Sequence, residues 1–390
     1  NKGTDVIDVK DCWVVPGLID IHVHLREPGQ EYKENIETGT AAAAAGGFTA
    51  VCCMPNTNPV NDTRAVTELI VARAKAVGAV RVYPIGCITQ GQKGETMSEM
   101  GELQEAGCVA LSDDGHGVAN SEVMRRALEY ATSFRLPIVQ HCEDKTLSAA
   151  GSMHEGLAST RFGIRAQPSA AESVMLARDL ELVALTGARY HMAHISCMES
   201  LRLIRDAKRR GLPVTCEVTP HNLMLTDEAC ATYDTNFKMN PPLRSVADQA
   251  ALREALGDGT IDAIATDHAP HSLVEKEVEF EQAANGVIGL ETAVALAVEL
   301  VELGVLTPAK LVTRMSTGPA GILGLPGGTL ALGSPADVTV IDPRMSWTCD
   351  PSRFRSKARN TPFAGRTMRG RAVLTVVGGR IVFIDEKLAI

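Results

Sequence analysis

Between Ile19 and about Gly304 the chain alternates short β-branched runs with helical patterns that close on glycine. That alternation constrains the fold more than any other feature, because parallel strands joined by helices bury both faces of their sheet. Strands are predicted at 18–24, 48–54, 80–88, 108–112, 137–141, 189–194, 213–218 and 261–266. Between them Met124, Ala127, Leu128 and Ala131 recur at helical spacing, with Ser121 as the expected N-cap. Val66, Leu69, Ile70 and Val77 do the same behind Asp62-Thr63 and stop at Gly78. Eight such strands, with no dinucleotide-type glycine fingerprint after the first, predict an α/β fold closed into a (β/α)8 TIM barrel over residues 16–324. An open doubly wound sheet is the alternative.

After Gly324 the texture changes. Gly327-Gly328, Gly333 and Pro335 lead into strand-like runs at 336–341, 371–377 and 380–384, and residues 1–15 share that character. A small β-domain built from 1–15 and 325–390 is therefore expected to flank the barrel. The chain opens on Asn1 rather than methionine, with strand-like residues already from position 6, so further sequence upstream is expected.

Composition narrows the function. A net charge of −9 argues against phosphate-backbone recognition, so no nucleic-acid partner is expected. Ten cysteines are scattered without a C-x-x-C pair, which points to reduced core thiols in a cytoplasmic protein rather than a zinc-thiolate site. No secretory signal or membrane span is visible: the run 41–45 is too short and ends at Gly46-Gly47.

His22-Val23-His24 ends the first predicted strand. Residues i and i+2 of a strand share a face, so both imidazoles can reach one point at a barrel mouth, and imidazole is a common zinc ligand. His141, His194 and Asp267 end the fifth, sixth and eighth strands, and Asp113-Asp114 follow the fourth. Polar groups from five strands thus converge on the face where barrel active sites lie. Four histidines with two carboxylates exceed what one tetrahedral zinc requires, so one or two ions are expected, with a carboxylate shared between them. Asp267 facing an attacking hydroxide could take its proton and return it to a leaving nitrogen.

Here a resemblance becomes specific. His22-Val23-His24-Leu25-Arg26-Glu27-Pro28-Gly29 resembles the entry motif of the dihydroorotases of the amidohydrolase superfamily, of the class I type. Gly46-Gly47-Phe48-Thr49, Met54-Pro55-Asn56-Thr57, Ser112-Asp113-Asp114-Gly115, His141-Cys142-Glu143, His194-Ile195-Ser196, Thr266-Asp267-His268-Ala269-Pro270-His271 and Asn360-Thr361-Pro362-Phe363 are similar to further motifs of that family. The resemblance implies His22, His24, Asp114, His141, His194 and Asp267 as metal ligands, with Asp267 also catalytic. It implies Arg26, Asn56 and His271 around a substrate carboxylate and Asn240 near the ring. The implied reaction is the reversible cyclisation of N-carbamoyl-L-aspartate to L-dihydroorotate through a metal-bound hydroxide, in pyrimidine biosynthesis. It also admits aspartate transcarbamoylase as a partner, and a homo-oligomer is expected. Hydantoinase-like or allantoinase-like hydrolysis and a non-catalytic scaffold are the competing readings.

Two departures matter. Many members of the superfamily bridge their metals with a carboxylated lysine on the fourth strand, whereas residues 108–115 contain no lysine. Asp113 and Asp114 both remain open as the bridge, with Lys93 a remote alternative. The loop Ala284-Asn285-Gly286 varies within the family. Among the other histidines, His116 and His154 are expected in solvent, and His191 pointing away from the ligand face. His221 is expected behind the ligands, and His268 as support for its loop. The charged run within 272–288 reads as a solvated face, with a lid as the alternative.

Overall fold

The computed structural model describes residues 6–386 and 388. The remaining positions, all within the two stretches expected to form the terminal β-domain, lie outside the described residues. The barrel strands are Leu18–Val23, Phe48–Cys53, Arg81–Gly86, Ala110–Leu111, Ile138–Gln140, Tyr190–Met192, Val214–Val218 and Ala263–Ile264. All neighbours pair in parallel and in chain order. Closure between the last and first strands comes from His24 N donating to the His268 carbonyl (2.8 Å) and from Thr266 N donating to the Asp20 carboxylate (3.2 Å).

The first strand carries a bulge. Asp20 pairs with Val51 but Val23 with Cys53, so three steps on one strand oppose two on the other. Ile19 and Ile21 therefore fill the barrel interior, Val23 joins the outer core beneath the helices, and His22 and His24 join the buried cluster at the mouth. Much of the interior is small, with Ala50, Ala110, Ala193, Ala263 and Ala265, and the helix Gly318–Leu323 adds Ala320, Ile322 and Leu323.

The outer helices follow the apolar periodicity. Helix Ser121–Phe134 buries Met124, Ala127, Leu128 and Ala131, as predicted. Its cap is Asn120 rather than Ser121: the Asn120 amide oxygen accepts from Glu122 N and Val123 N, which places Ser121 inside the first turn. Helix Arg64–Val77 buries Val66 and Ile70, but Leu69 is 48% exposed, because it sits at the solvent edge of a narrow apolar stripe.

Trp13–Pro16, Val338–Thr348, Thr367–Val377 and Arg380–Ile384 form an antiparallel sheet in the order first, second, third, fourth. The second and third strands are longer than their sequence runs suggested. Gly47 explains how closely this sheet meets the barrel. At φ 90° its missing Cβ would stand 2.8 Å from Ala372 Cβ and 2.9 Å from Thr339 Cγ2. All ten cysteines are free thiols, nine of them buried. Among the described residues no helix is long and apolar enough to cross a membrane.

Candidate active site at the carboxyl mouth of the barrel

His22, His24, Asp114, His141, His194 and Asp267 come together in one buried cluster, each at most 7% exposed. His22 Nε2 lies 3.5 Å from Asp114 Oδ1 and 3.6 Å from Asp267 Oδ1. His24 Nε2 lies 3.1 Å from Asp267 Oδ1 and 3.5 Å from Asp114 Oδ2. On the other side His141 Nδ1 and His194 Nε2 are 2.9 Å apart, and both face Asp114 Oδ1 at 3.6–3.7 Å. Asp114 is thus central, with one half of the cluster on each side. Asp113 is turned the other way: its carboxylate accepts from Ile88 N, Thr89 N and the Thr89 hydroxyl. Lys93 is exposed on the loop after the third barrel strand.

The donor chemistry suits a cation. His22 Nδ1 meets Glu217 (2.6 Å), His24 Nδ1 meets Asn56 Oδ1 (2.8 Å), and His141 Nε2 meets Glu143 (2.9 Å). Each outer ring nitrogen faces an oxygen, so the neutral tautomer that donates outward would turn its inner nitrogen's lone pair to a cation in the cluster, the pattern that orients imidazole ligands. His22 Nε2 is buried without a hydrogen-bond partner among the described residues. Burial opposes ionisation of Asp267, but the His24 hydrogen bond and the charges of His22, His24 and His194 outweigh it and hold the carboxyl well below the usual range. His194 (φ 33°), Asp267 (φ 47°) and Arg26 (φ 61°) all adopt left-handed backbone, at a cost of roughly 1–3 kcal/mol each, which the packed barrel offsets elsewhere.

Arg26 is 8% exposed. Its Nε donates to the Pro270 carbonyl (3.1 Å), and Nη2 lies 3.4 Å from His271 Nε2, which in turn meets the Asn285 carbonyl at 2.8 Å. No carboxylate forms an ion pair with Arg26 among the described residues. Asn56 reaches Asp114 (3.2 Å) as well as His24, so it ties the arginine side of the mouth to the cluster. Asn240 donates to Glu143 (2.8 Å) and lies 3.4 Å from His141 Nε2. Asn360 pins the loop beneath His271, accepting from His271 N and donating to the carbonyls of Ala269 and Gly286.

Sequence reasoning missed Glu217. Its carboxylate, 1% exposed, joins His22 to His191, and although burial opposes it, His22 and His191 lower its pKa to about 2. An acidic residue inside the apolar run Val214–Val218 was the available signal. His191 departs from expectation: it points into the barrel, between Thr215 Oγ1 (2.8 Å) and Glu217 (3.2 Å), because it shares the inward face with Ala193. His154 is also not simply solvated, since it sits on a short strand with Nδ1 3.3 Å from Arg244. His116 is exposed, and His268 braces its loop by accepting from Gly289 N. His221 is buried and kept neutral, its pKa lowered to about 4 by burial. The 272–288 run is only partly a solvated face: Glu275 pairs with Lys33 (2.6 Å), while Lys276 is buried.

A parallel barrel with buried imidazoles and carboxylates at its carboxyl mouth defines the class of the amidohydrolase barrels. Solved structures agree: an L-hydantoinase (dihydropyrimidinase) from Arthrobacter aurescens superposes with TM-score 0.87 at 26% identity, over 97% of this chain and 87% of that one. A D-hydantoinase (dihydropyrimidinase) from Thermus sp. gives 0.85 at 26% identity, over 100% and 89%. Within that class, a family described as Dihydro-orotase-like matches residues 12–200. A dihydroorotase from Anaeromyxobacter dehalogenans is 60% identical over 98% of this chain and 88% of its own length, and one from Geobacter metallireducens is 58% identical over 98% and 90%. The chain belongs to the dihydroorotase family.

Proposed function

We propose that the chain interconverts N-carbamoyl-L-aspartate and L-dihydroorotate in pyrimidine biosynthesis, as a zinc-dependent enzyme of the cytoplasm. The observation that carries this reading is Arg26. Buried charges are normally paired, and a buried guanidinium with no carboxylate partner beside a ligand cluster suits an anionic substrate. Hydantoin-like rings lack that carboxylate, and the hydantoinase likenesses are far more distant than the dihydroorotase ones.

His22, His24 and Asp267 would hold one zinc and His141 and His194 a second, with Asp114 between them. When bound, zinc would polarise the amide carbonyl and lower the pKa of a water. Arg26 grips the substrate carboxylate with paired N–H donors, and His271 and Asn56 complete the pocket around it. Asp267, already ionised, accepts the proton of the attacking water and passes it to the ring nitrogen as the amide opens. In the closing direction the same carboxylate takes the proton from the carbamoyl nitrogen and returns it to the hydroxyl expelled from the side-chain carboxyl, which leaves as water. Asn240 and the loop at 284–286 border the ring.

A spectrophotometric assay of L-dihydroorotate hydrolysis tests the reading. Activity is expected to vanish after chelation and to return with zinc. Metal-replete protein without dihydroorotate turnover would overturn it and redirect attention to another cyclic amide. A second expectation concerns Glu217. Glu217→Gln keeps the shape but removes the charge opposite His22, and should weaken zinc binding about 10–100-fold. Competition against a chromogenic chelator reads this directly, and unchanged affinity would rule out that role for Glu217. The wider partners, a homo-oligomer and association with aspartate transcarbamoylase, belong to this reading as well and are read by light scattering with and without the transcarbamoylase.

A further inference from the structure

Lys276 is a second buried cation without a carboxylate partner among the described residues. It ends the short helix Leu273–Lys276 and is 5% exposed. Its Nζ lies within hydrogen-bond distance of three backbone carbonyls, those of Ala284 (2.9 Å), Gly286 (3.2 Å) and Lys238 (3.4 Å). An ammonium has three N–H donors, so it can serve all three, whereas a neutral amine has two.

Two of those carbonyls flank Asn285, whose own carbonyl meets His271 Nε2, the neighbour of Arg26. Gly286 is tied to Lys238 by its N–H and to Asn360 by its carbonyl. The charge of Lys276 is also felt there. Burial lowers the pKa of His271 to about 3, and Arg26, Lys33 and Lys276 add to that effect while Glu275 opposes it. Lys276 thus braces the turn that His271 leans on and contributes positive potential at the same place.

Its surroundings are few in charge. Lys238 and Asp234 face it from the two ends of the short turn Thr235–Phe237, and Lys238 itself donates to the Glu281 carbonyl. Glu275, its neighbour, is engaged by Lys33. Burial, reinforced by Lys238 and opposed by Asp234, lowers the pKa of Lys276 to about 7.

We propose that Lys276 is a positioning residue for the substrate carboxylate: it holds the 284–286 turn against His271 and adds to the field that receives the anion. The inference rests on the dihydroorotate reading above. Lys276→Met keeps the volume and removes every donor. With L-dihydroorotate near pH 6.5, this variant should show a KM about tenfold higher, the scale of one charge-assisted hydrogen bond, with kcat within about twofold. The wild-type KM should rise above about pH 7 as the ammonium loses its proton, while that of the variant stays high and flat. A variant with wild-type KM, or with reduced kcat at unchanged KM, overturns the proposal. If circular dichroism shows the variant unfolded, the wild-type profile decides: a KM constant between about pH 6 and 9 overturns it. Wild-type protein without dihydroorotate turnover fails at the earlier step and overturns the functional reading instead.

Discussion

Asp267→Asn is expected to lower kcat by about 10³-fold or more while leaving the protein folded. Positioned proton transfer contributes roughly 10²–10⁴-fold, and in the proposed reaction one carboxylate would serve both the attacking water and the leaving nitrogen, so both transfers would fail together. The amide occupies the volume of the carboxylate and can still contact His24, 3.1 Å away in the present structure. The fold should therefore survive, with a thermal midpoint close to that of the parent. Removing the charge also lightens one side of the cluster, so zinc content has to be measured alongside turnover. Loss of kcat with zinc retained would isolate the proton-transfer role. A variant within about tenfold of wild-type kcat would sink the assignment.

Arg26→Met should act on the other half of the reaction coordinate. On the proposed reading the arginine would meet a part of the substrate that does not change during ring opening, and so would stabilise ground and transition states alike. Its loss should raise KM by about 10²-fold, the scale of two hydrogen bonds to a charged group, with a much smaller change in kcat. The methionine fills the buried stem volume, and the Pro270 carbonyl gives up a single hydrogen bond. The comparison with dihydrouracil, which has the same ring without the carboxylate, makes the test sharp. The variant should lose its preference for the acid over the neutral ring. If wild type and variant discriminate equally between the two, Arg26 is not the carboxylate receptor.

Much of the candidate site was legible because each barrel strand announces itself locally. His22, His24, His141, His194 and Asp267 each stand at or just past the end of an apolar run, and Arg26 follows two residues behind the last histidine of the first strand. What was not legible depends on partners far away in the chain. Glu217 meets His22 across 195 residues, and Asn360 holds His271 across 89. Neither pairing leaves a periodic trace, because nothing in a short window records which strand ends meet. The choice of cap at Asn120 shows the same limit on a small scale: adjacent Asn120 and Ser121 are both competent, and backbone geometry selects between them.

By itself, then, the sequence determined the order of strands and helices, the barrel they close and the residue types gathered at its mouth, since hydrophobic period and strand ends are local properties. Only the tertiary structure decided that Asp114 turns into the cluster while Asp113 is tied to Ile88 and Thr89. It alone placed the bulge that brings both Ile21 and His22 inward, and it alone left Arg26 and Lys276 buried without a carboxylate partner among the described residues. Those outcomes follow from register and burial, which arise when distant segments compete for the same space and the same hydrogen-bond partners.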